Sequence, residues 1–149
     1  MLLDRVTLED IEVNLKAKDW REAIQTSARL LLERGAIKES YIDGMIQSVE
    51  NNGPYIVIAK HIALAHTRPE FGVIRGGLTF ATLADGVDFG SEMFDPVKLI
   101  ITLAATDSES HLEVLSELAE VLMDEEKVAR LIAANSEQAF YEELTKEGQ

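Results

Sequence analysis

The sequence predicts an α/β fold, a mixed β-sheet flanked by helices on both sides. Three observations point there. VKLIITLAA, from Val97 to Ala105, is an apolar run suited to a central strand; YIVIA and HIALA are two shorter apolar runs behind a strong break; and stretches of helical periodicity lie on either side of them in the chain.

Taken in order, Ile11, Val13 and Leu15 alternate with polar neighbours after a polar N-terminal turn and predict a short half-buried strand. Asp19 and Glu22 form a capping-box pattern, Trp20, Ala23, Ile24, Ser27, Ala28 and Leu31 recur at helical spacing, and Gly35 stands where a helix commonly stops. A second helix is expected from Glu39 to Glu50, closed by Asn51-Asn52-Gly53-Pro54. After the two short strands, Thr67 to Gly77 carries Pro69, Gly72 and Gly76 and reads as a loop, and LTFATL then alternates as a strand. VKLIITLAA runs directly into TDSES and a helix whose buried face is marked by Leu112, Leu115, Leu118, Ala119 and Leu122, with Glu109, Glu113, Glu117 and Glu120 toward solvent. Helices at about Glu125–Ala134 and Ser136–Lys146 close the chain. There is no internal repeat or linker, so residues 1–149 are expected to form a single domain.

Composition narrows the function. The net charge of −13 argues against nucleic acid and anionic membrane surfaces, both of which select Lys and Arg. No apolar run approaches the ~18–20 residues of a membrane helix and no signal-peptide pattern opens the chain, so a cytoplasmic location is expected. The absence of cysteine rules out disulfides and thiolate chemistry. The charge is unevenly placed: residues 107–149 carry twelve acids against three bases, whereas Ile56–Thr82 holds Lys60, His61, His66, Arg68 and Arg75 against Glu70 alone. That cationic island in an acidic chain is the natural place for an anion site.

Phosphate-loop, dinucleotide, nucleophile-elbow and zincin motifs are all absent, and no cofactor is called for. The chemistry falls to three histidines near strand ends. His66 precedes Thr67, Arg68 and a glycine-containing loop, so an anion on its imidazole would find a guanidinium and open backbone amides nearby. A phosphoryl group suits this: neutral imidazole is a nucleophile near neutral pH, and phosphoryl transfer asks mainly for alignment and charge neutralisation. On pattern alone, a histidine hydrogen-bonded at a strand end is the commoner explanation. His111, behind Ser108, Glu109 and Ser110, starts a helix whose N–H groups and dipole favour an anion, and a neutral imidazole there can orient His66 or donate to phosphoryl oxygens. An odd separation along a strand puts His61 on the face opposite His66, and no carboxylate stands as partner, which weakens a three-histidine zinc site. Asp107, Ser108, Ser110 and His111 read as a capping signal, not a hydrolase triad, whose members converge from separate segments.

GPYIVIAKHIALAHTRPEFGV, residues 53–73, resembles the active-site segment of enzyme IIA of the mannitol/fructose class (EIIA type 2) of the bacterial sugar phosphotransferase system, with the family's histidine motif falling on His66. The resemblance continues through GLTFATLADGVDFGSE and DPVKLIITLAATDSESHLEVLSELAEVL to the C-terminal helices, covering essentially the whole chain, and these segments are most similar to the ascorbate-type branch. It implies the same α/β fold and a cytoplasmic phosphocarrier: His66 would take a phosphoryl group from HPr and give it to an enzyme IIB, which serves a membrane enzyme IIC in sugar uptake. It also implies that His111 is the second active-site histidine, the residue already singled out. The chain departs from the family at Ala65, where proline is usual before the histidine, and at Lys60 and His61. MIQSVENN, residues 45–52, lacks the arginine that mannitol and fructose members carry, and Arg68 is the candidate to replace it. A rim of Phe71, Ile74 and Leu64 would exclude water. The alternative is a regulatory module of the same fold, phosphorylated at His66, that controls a transporter, kinase or transcription factor. Oligomeric state is left open, a homodimer included.

Overall fold

The computed structural model describes residues 5–146. Its elements are β1 (Ile11–Leu15), α1 (Trp20–Glu33), α2 (Glu39–Asn52), β2 (Val57–Ala59), β3 (Ile62–Ala65), β4 (Gly77–Val87), β5 (Val97–Ala104), α3 (Ser108–Leu122), α4 (Glu125–Ala133) and α5 (Glu137–Thr145). The five strands form one sheet in the order β1-β4-β5-β3-β2. β1 runs parallel to β4 and β3 parallel to β5, while β4–β5 and β2–β3 are antiparallel, giving the expected mixed sheet.

β5 explains why helices cover both faces. Successive strand residues point to opposite sides, so Ile100 and Ala104 join the core under α1 and α2, with Ile24, Leu31, Tyr41 and Met45. Leu99, Ile101 and Leu103 join the core under α3, α4 and α5, with Leu64, Leu118 and Phe140. A strand buried on both faces must read as a continuous apolar run, which is how VKLIITLAA reads.

The caps follow the sequence with small shifts. Asp19 accepts the Glu22 N–H at 2.9 Å, and the Glu22 carboxylate reaches back to the Lys18 N–H at 3.0 Å, one residue before the expected cap. α1 ends at Arg34 and Gly35, the latter at φ 73°. α2 runs to Asn52, past the expected Glu50, because the Gly53 N–H still bonds Val49 O at 2.8 Å and the chain turns only at Gly53, φ 82°. That extra half-turn carries Asn51 and Asn52 to the site described below.

The face of α3 differs from its sequence reading. Val114, Leu118 and Val121 are buried and Leu115 and Leu122 pack beside them, whereas Leu112 is 64% exposed and Ala119 faces solvent. The stripe is rotated: Leu115, Leu118 and Leu122 are common to both readings, with Leu118 at its centre and Leu115 and Leu122 along one side, while Leu112 sits in the second turn and Ala119 lies beyond the packed edge. Among the described residues, no helix is long and apolar enough to cross a membrane.

Candidate functional site

β3 and β5 are parallel neighbours, and their last register pair, Ala65 with Thr102, brings both strand ends to one edge of the sheet. His66 follows β3 directly. Beyond β5 the chain meets Asp107, whose carboxylate accepts the Ser110 N–H at 2.8 Å and starts α3, with His111 as the fourth helical residue. The two imidazoles thus meet from separate connections, with centroids 5.3 Å apart and planes at 50°. They line a cleft of about 1000 Å³ whose other walls include Asn51, Tyr55, Arg68 and Leu112. Crevices at the carboxyl ends of strands are where α/β sheets place their sites.

His66 is held in one tautomer. Its Nδ1 lies 2.7 Å from Leu64 O, and a carbonyl only accepts, so Nδ1 carries the proton and donates. Nε2 is then the basic nitrogen, and it has no hydrogen-bond partner among the described residues. Burial pushes the His66 pKa down, the Leu64 carbonyl pulls the other way, and the neighbouring His111 lowers it further. The Tyr55 ring meets the imidazole edge-on, with centroids 5.5 Å apart at 79°. Such a ring, neutral near physiological pH with an unpartnered Nε2, has a lone pair available as a base or nucleophile.

Hydroxyls surround the backbone behind it. Tyr41, buried on α2, donates to Leu103 O at 2.7 Å and accepts the Thr67 N–H at 3.1 Å; burial pushes its pKa up to about 12, so it stays protonated. Tyr55 donates to His66 O at 2.6 Å, and the Ser48 and Thr67 hydroxyls are 3.1 Å apart. Burial raises the Tyr55 pKa, against the pull of the Thr67 and Ser48 hydroxyls.

Arg68 lines the same cleft, its guanidinium carbon 5.3 Å above the Phe71 ring centroid and without a carboxylate partner among the described residues. It is therefore available to an anion. The capping signal before His111 is borne out: the Asp107 carboxylate caps α3 at the Ser110 N–H, and bonds to the Ser110 and Glu109 groups hold its pKa below the usual carboxylate range. Glu70 is a second acid on the cleft wall.

His61 lies elsewhere. It sits in the β2–β3 turn at φ 69°, its N–H on Phe94 O at 2.9 Å and its Nδ1 on Pro96 O at 2.7 Å, at the far end of β3 from His66. The three histidines do not converge into a zinc site, and among the described residues no group of three potential ligands is spaced to hold a metal. The expected rim is corrected as well. Phe71 lines the cleft, but Leu64 is buried in the sheet core and Ile74, though exposed, lies outside the lining; Leu112 takes the rim position instead.

His66, His111 and Arg68, singled out in the sequence, line one cleft, where Tyr41, Tyr55, Ser48 and the Asn51–Asn52 pair join them without having been singled out. Tyr55, directly behind the Gly53-Pro54 break, was the one visible signal: an aromatic at a strand entrance next to the histidine segment.

The family model described as "Phosphoenolpyruvate-dependent sugar phosphotransferase system, EIIA 2" matches residues 5–147. The chain is 38% identical over 146 residues to the mannitol-specific cryptic phosphotransferase enzyme IIA component of Escherichia coli (strain K12), covering 97% of this chain and 98% of that one. A solution structure of the mannitol-specific cryptic enzyme IIA from Escherichia coli matches with a TM-score of 0.88, 38% identity and coverage of 99% and 100%. The ascorbate-specific EIIA component of Escherichia coli (strain K12) is 35% identical over 131 residues, 87% of this chain and 85% of that one. A complex of the mannitol enzyme IIA with phosphorylated mannitol enzyme IIB from Escherichia coli matches with a TM-score of 0.83 at 28% identity, covering 96% and 99%.

Proposed function

Because the chain belongs to the EIIA 2 family of the phosphoenolpyruvate-dependent sugar phosphotransferase system, we propose that it is the relay component in which His66 accepts a phosphoryl group from phospho-HPr and hands it to a cognate enzyme IIB. The carrying observation is the Nδ1–Leu64 O bond of 2.7 Å, which leaves the Nε2 lone pair to attack. As the new P–Nε2 bond forms, the P–N bond of the donor phosphohistidine breaks and its electron pair stays on the donor imidazole. The Nδ1 proton remains on His66. The positive charge that develops on the His66 ring is stabilised through that proton by the Leu64 carbonyl. Passing the group to enzyme IIB runs the same exchange with His66 as the leaving group.

His111, 5.3 Å from His66 between ring centroids, orients the acceptor ring or donates to phosphoryl oxygens from the opposite wall. Arg68 supplies the cation that faces them. Such a reaction needs no metal or organic cofactor from this chain. The whole chain acts as one domain in the cytoplasm, and the sugar is phosphorylated by enzyme IIB during passage through the membrane enzyme IIC. The names of the relatives suggest a polyol or sugar acid of the mannitol or ascorbate type as the cargo of that system.

Intact-mass measurement after incubation with phosphoenolpyruvate, enzyme I and HPr tests this reading. One acid-labile phosphoryl adduct is expected on the wild type, none on His66→Ala, and a slower-forming one on His111→Ala. No adduct on the wild type refutes the relay. An adduct that no enzyme IIB can discharge points to the regulatory module instead.

A further inference from the structure

The sheet ladder that orders β3 ends at Ala65, so the peptide joining His66 to Thr67 leaves the sheet without strand partners. Both of its polar groups are nevertheless held, and by two tyrosines from different elements. The His66 carbonyl accepts from the Tyr55 hydroxyl at 2.6 Å, and the Thr67 N–H donates to the Tyr41 hydroxyl at 3.1 Å. Tyr41 also donates to Leu103 O at 2.7 Å, so one hydroxyl bridges the end of β5 to the loop where direct pairing has stopped. We propose that Tyr41 and Tyr55 are positioning residues that clamp this single peptide from both sides, fixing the backbone from which the His66 ring reaches back to Leu64 O and turns Nε2 into the cleft.

The physical reason is the geometry that His66 needs. Its Nδ1 bond goes to the carbonyl two residues earlier on its own chain, so a rotation about the His66 N–Cα bond swings the ring and the 66–67 peptide together relative to that carbonyl, and holding the peptide holds the ring on it. Ala65 brings no ring that would restrict the backbone. A neutral hydroxyl bond at each end costs the nucleophile nothing in charge, whereas a cation here would compete with Arg68 for the phosphoryl oxygens. The two hydroxyls differ in exposure, Tyr41 being 1% and Tyr55 40% exposed, which makes Tyr55 the bond that a docking partner can cover and tighten.

This inference rests on the phosphocarrier reading, and its test separates the two. Tyr55→Phe and Tyr41→Phe are compared with wild type by single-turnover transfer from phospho-HPr, resolving the maximal rate constant from the half-saturating donor concentration. Nitrogen-15 NMR of the His66 imidazole in the unphosphorylated protein reports the tautomer. Each variant is expected to lower the maximal rate constant about five- to tenfold with the half-saturating concentration unchanged, and to convert the Nδ1–H tautomer to a mixture. A loss confined to the half-saturating concentration would make Tyr55 a docking contact and overturn the clamp, as would an unchanged rate and tautomer in folded protein. Should Tyr41→Phe fail to fold, Tyr55→Phe on the surface carries the test. If wild type takes up no phosphoryl group, the relay reading falls, and the tautomer measurement still decides the clamp.

Discussion

Replacing Gly44 by alanine probes how the cleft wall is supported. Gly44 lies in the interior of α2, where alanine is ordinarily favoured by about 1 kcal/mol. Here a Cβ would lie 2.9 Å from Phe71 Cγ and 3.0 Å from Phe71 Cβ. Carbon atoms pack at about 3.5–4.0 Å, so Phe71 must retreat by about 0.6 Å or more. Its Cβ cannot swing away by rotation about χ1 alone, and the 3₁₀ turn Pro69–Phe71 has to move with it. Forcing a methyl group into a packed contact costs about 1–3 kcal/mol, which offsets the propensity gain and predicts a net loss of about 0–2 kcal/mol. Phe71 also carries the Arg68 guanidinium at 5.3 Å, so the proposed anion ligand is displaced together with its platform. Urea unfolding should show the midpoint unchanged or lowered, while the phosphoryl-transfer rate is expected to drop, as is also expected of Arg68→Ala. A variant that gains the full ~1 kcal/mol and transfers at the wild-type rate would refute the contact as a support for Arg68.

Three further outcomes follow from the same structure. Burial favours neutral His66, so acceptor activity should stay level on acidification past the ordinary histidine value of about 6.5 and fall only at lower pH, measured as the rate against pH and by imidazole NMR titration. The unfolded chain binds this proton more readily than the folded one, so stability should also decline as pH drops from the unfolded value toward the depressed folded value; a midpoint above the ordinary range contradicts both. Leu112→Ala, at the exposed cleft rim, should change stability by no more than about 0.5 kcal/mol, whereas Leu118→Ala in the buried stripe should cost about 2–5 kcal/mol by thermal or chemical unfolding, and equal costs would restore the sequence-derived face of α3.

Much of the fold was legible because its signals are local. The Asp19 and Asp107 caps, the Gly35 and Gly53 stops, and the double-faced burial of β5 each leave a pattern within a few residues. The face of α3 was harder, because Leu112, Leu115, Leu118 and Leu122 satisfy helical spacing as well as Val114, Leu118 and Val121 do. Only the sheet beneath decides, and it ends before the first turn, leaving Leu112 over the cleft. Among the site residues, His66, His111 and Arg68 announce themselves by type. Tyr41 does not: at helical spacing on α2 it reads as core, which it is, and its hydroxyl is used only because Leu103 and Thr67 arrive from 62 and 26 residues away.

The charge around the cleft bears on the proposed carrier role. Its lining contains a single arginine, two histidines of which His66 is biased to neutrality by burial, and the carboxylates of Glu70 and Asp107. A site built to retain a phosphoryl dianion would surround it with guanidinium groups and helix N–H groups, but here the Asp107 carboxylate stands at the start of α3 and takes the Ser110 N–H. One cation can align the group without deepening the ground state, since an interaction felt equally before and after transfer does not speed the step. A relay must also release what it accepts. The neutral hydroxyls of Tyr41 and Tyr55 fit the same logic: they hold backbone rather than phosphate, so rigidity at His66 is obtained without added affinity for the cargo.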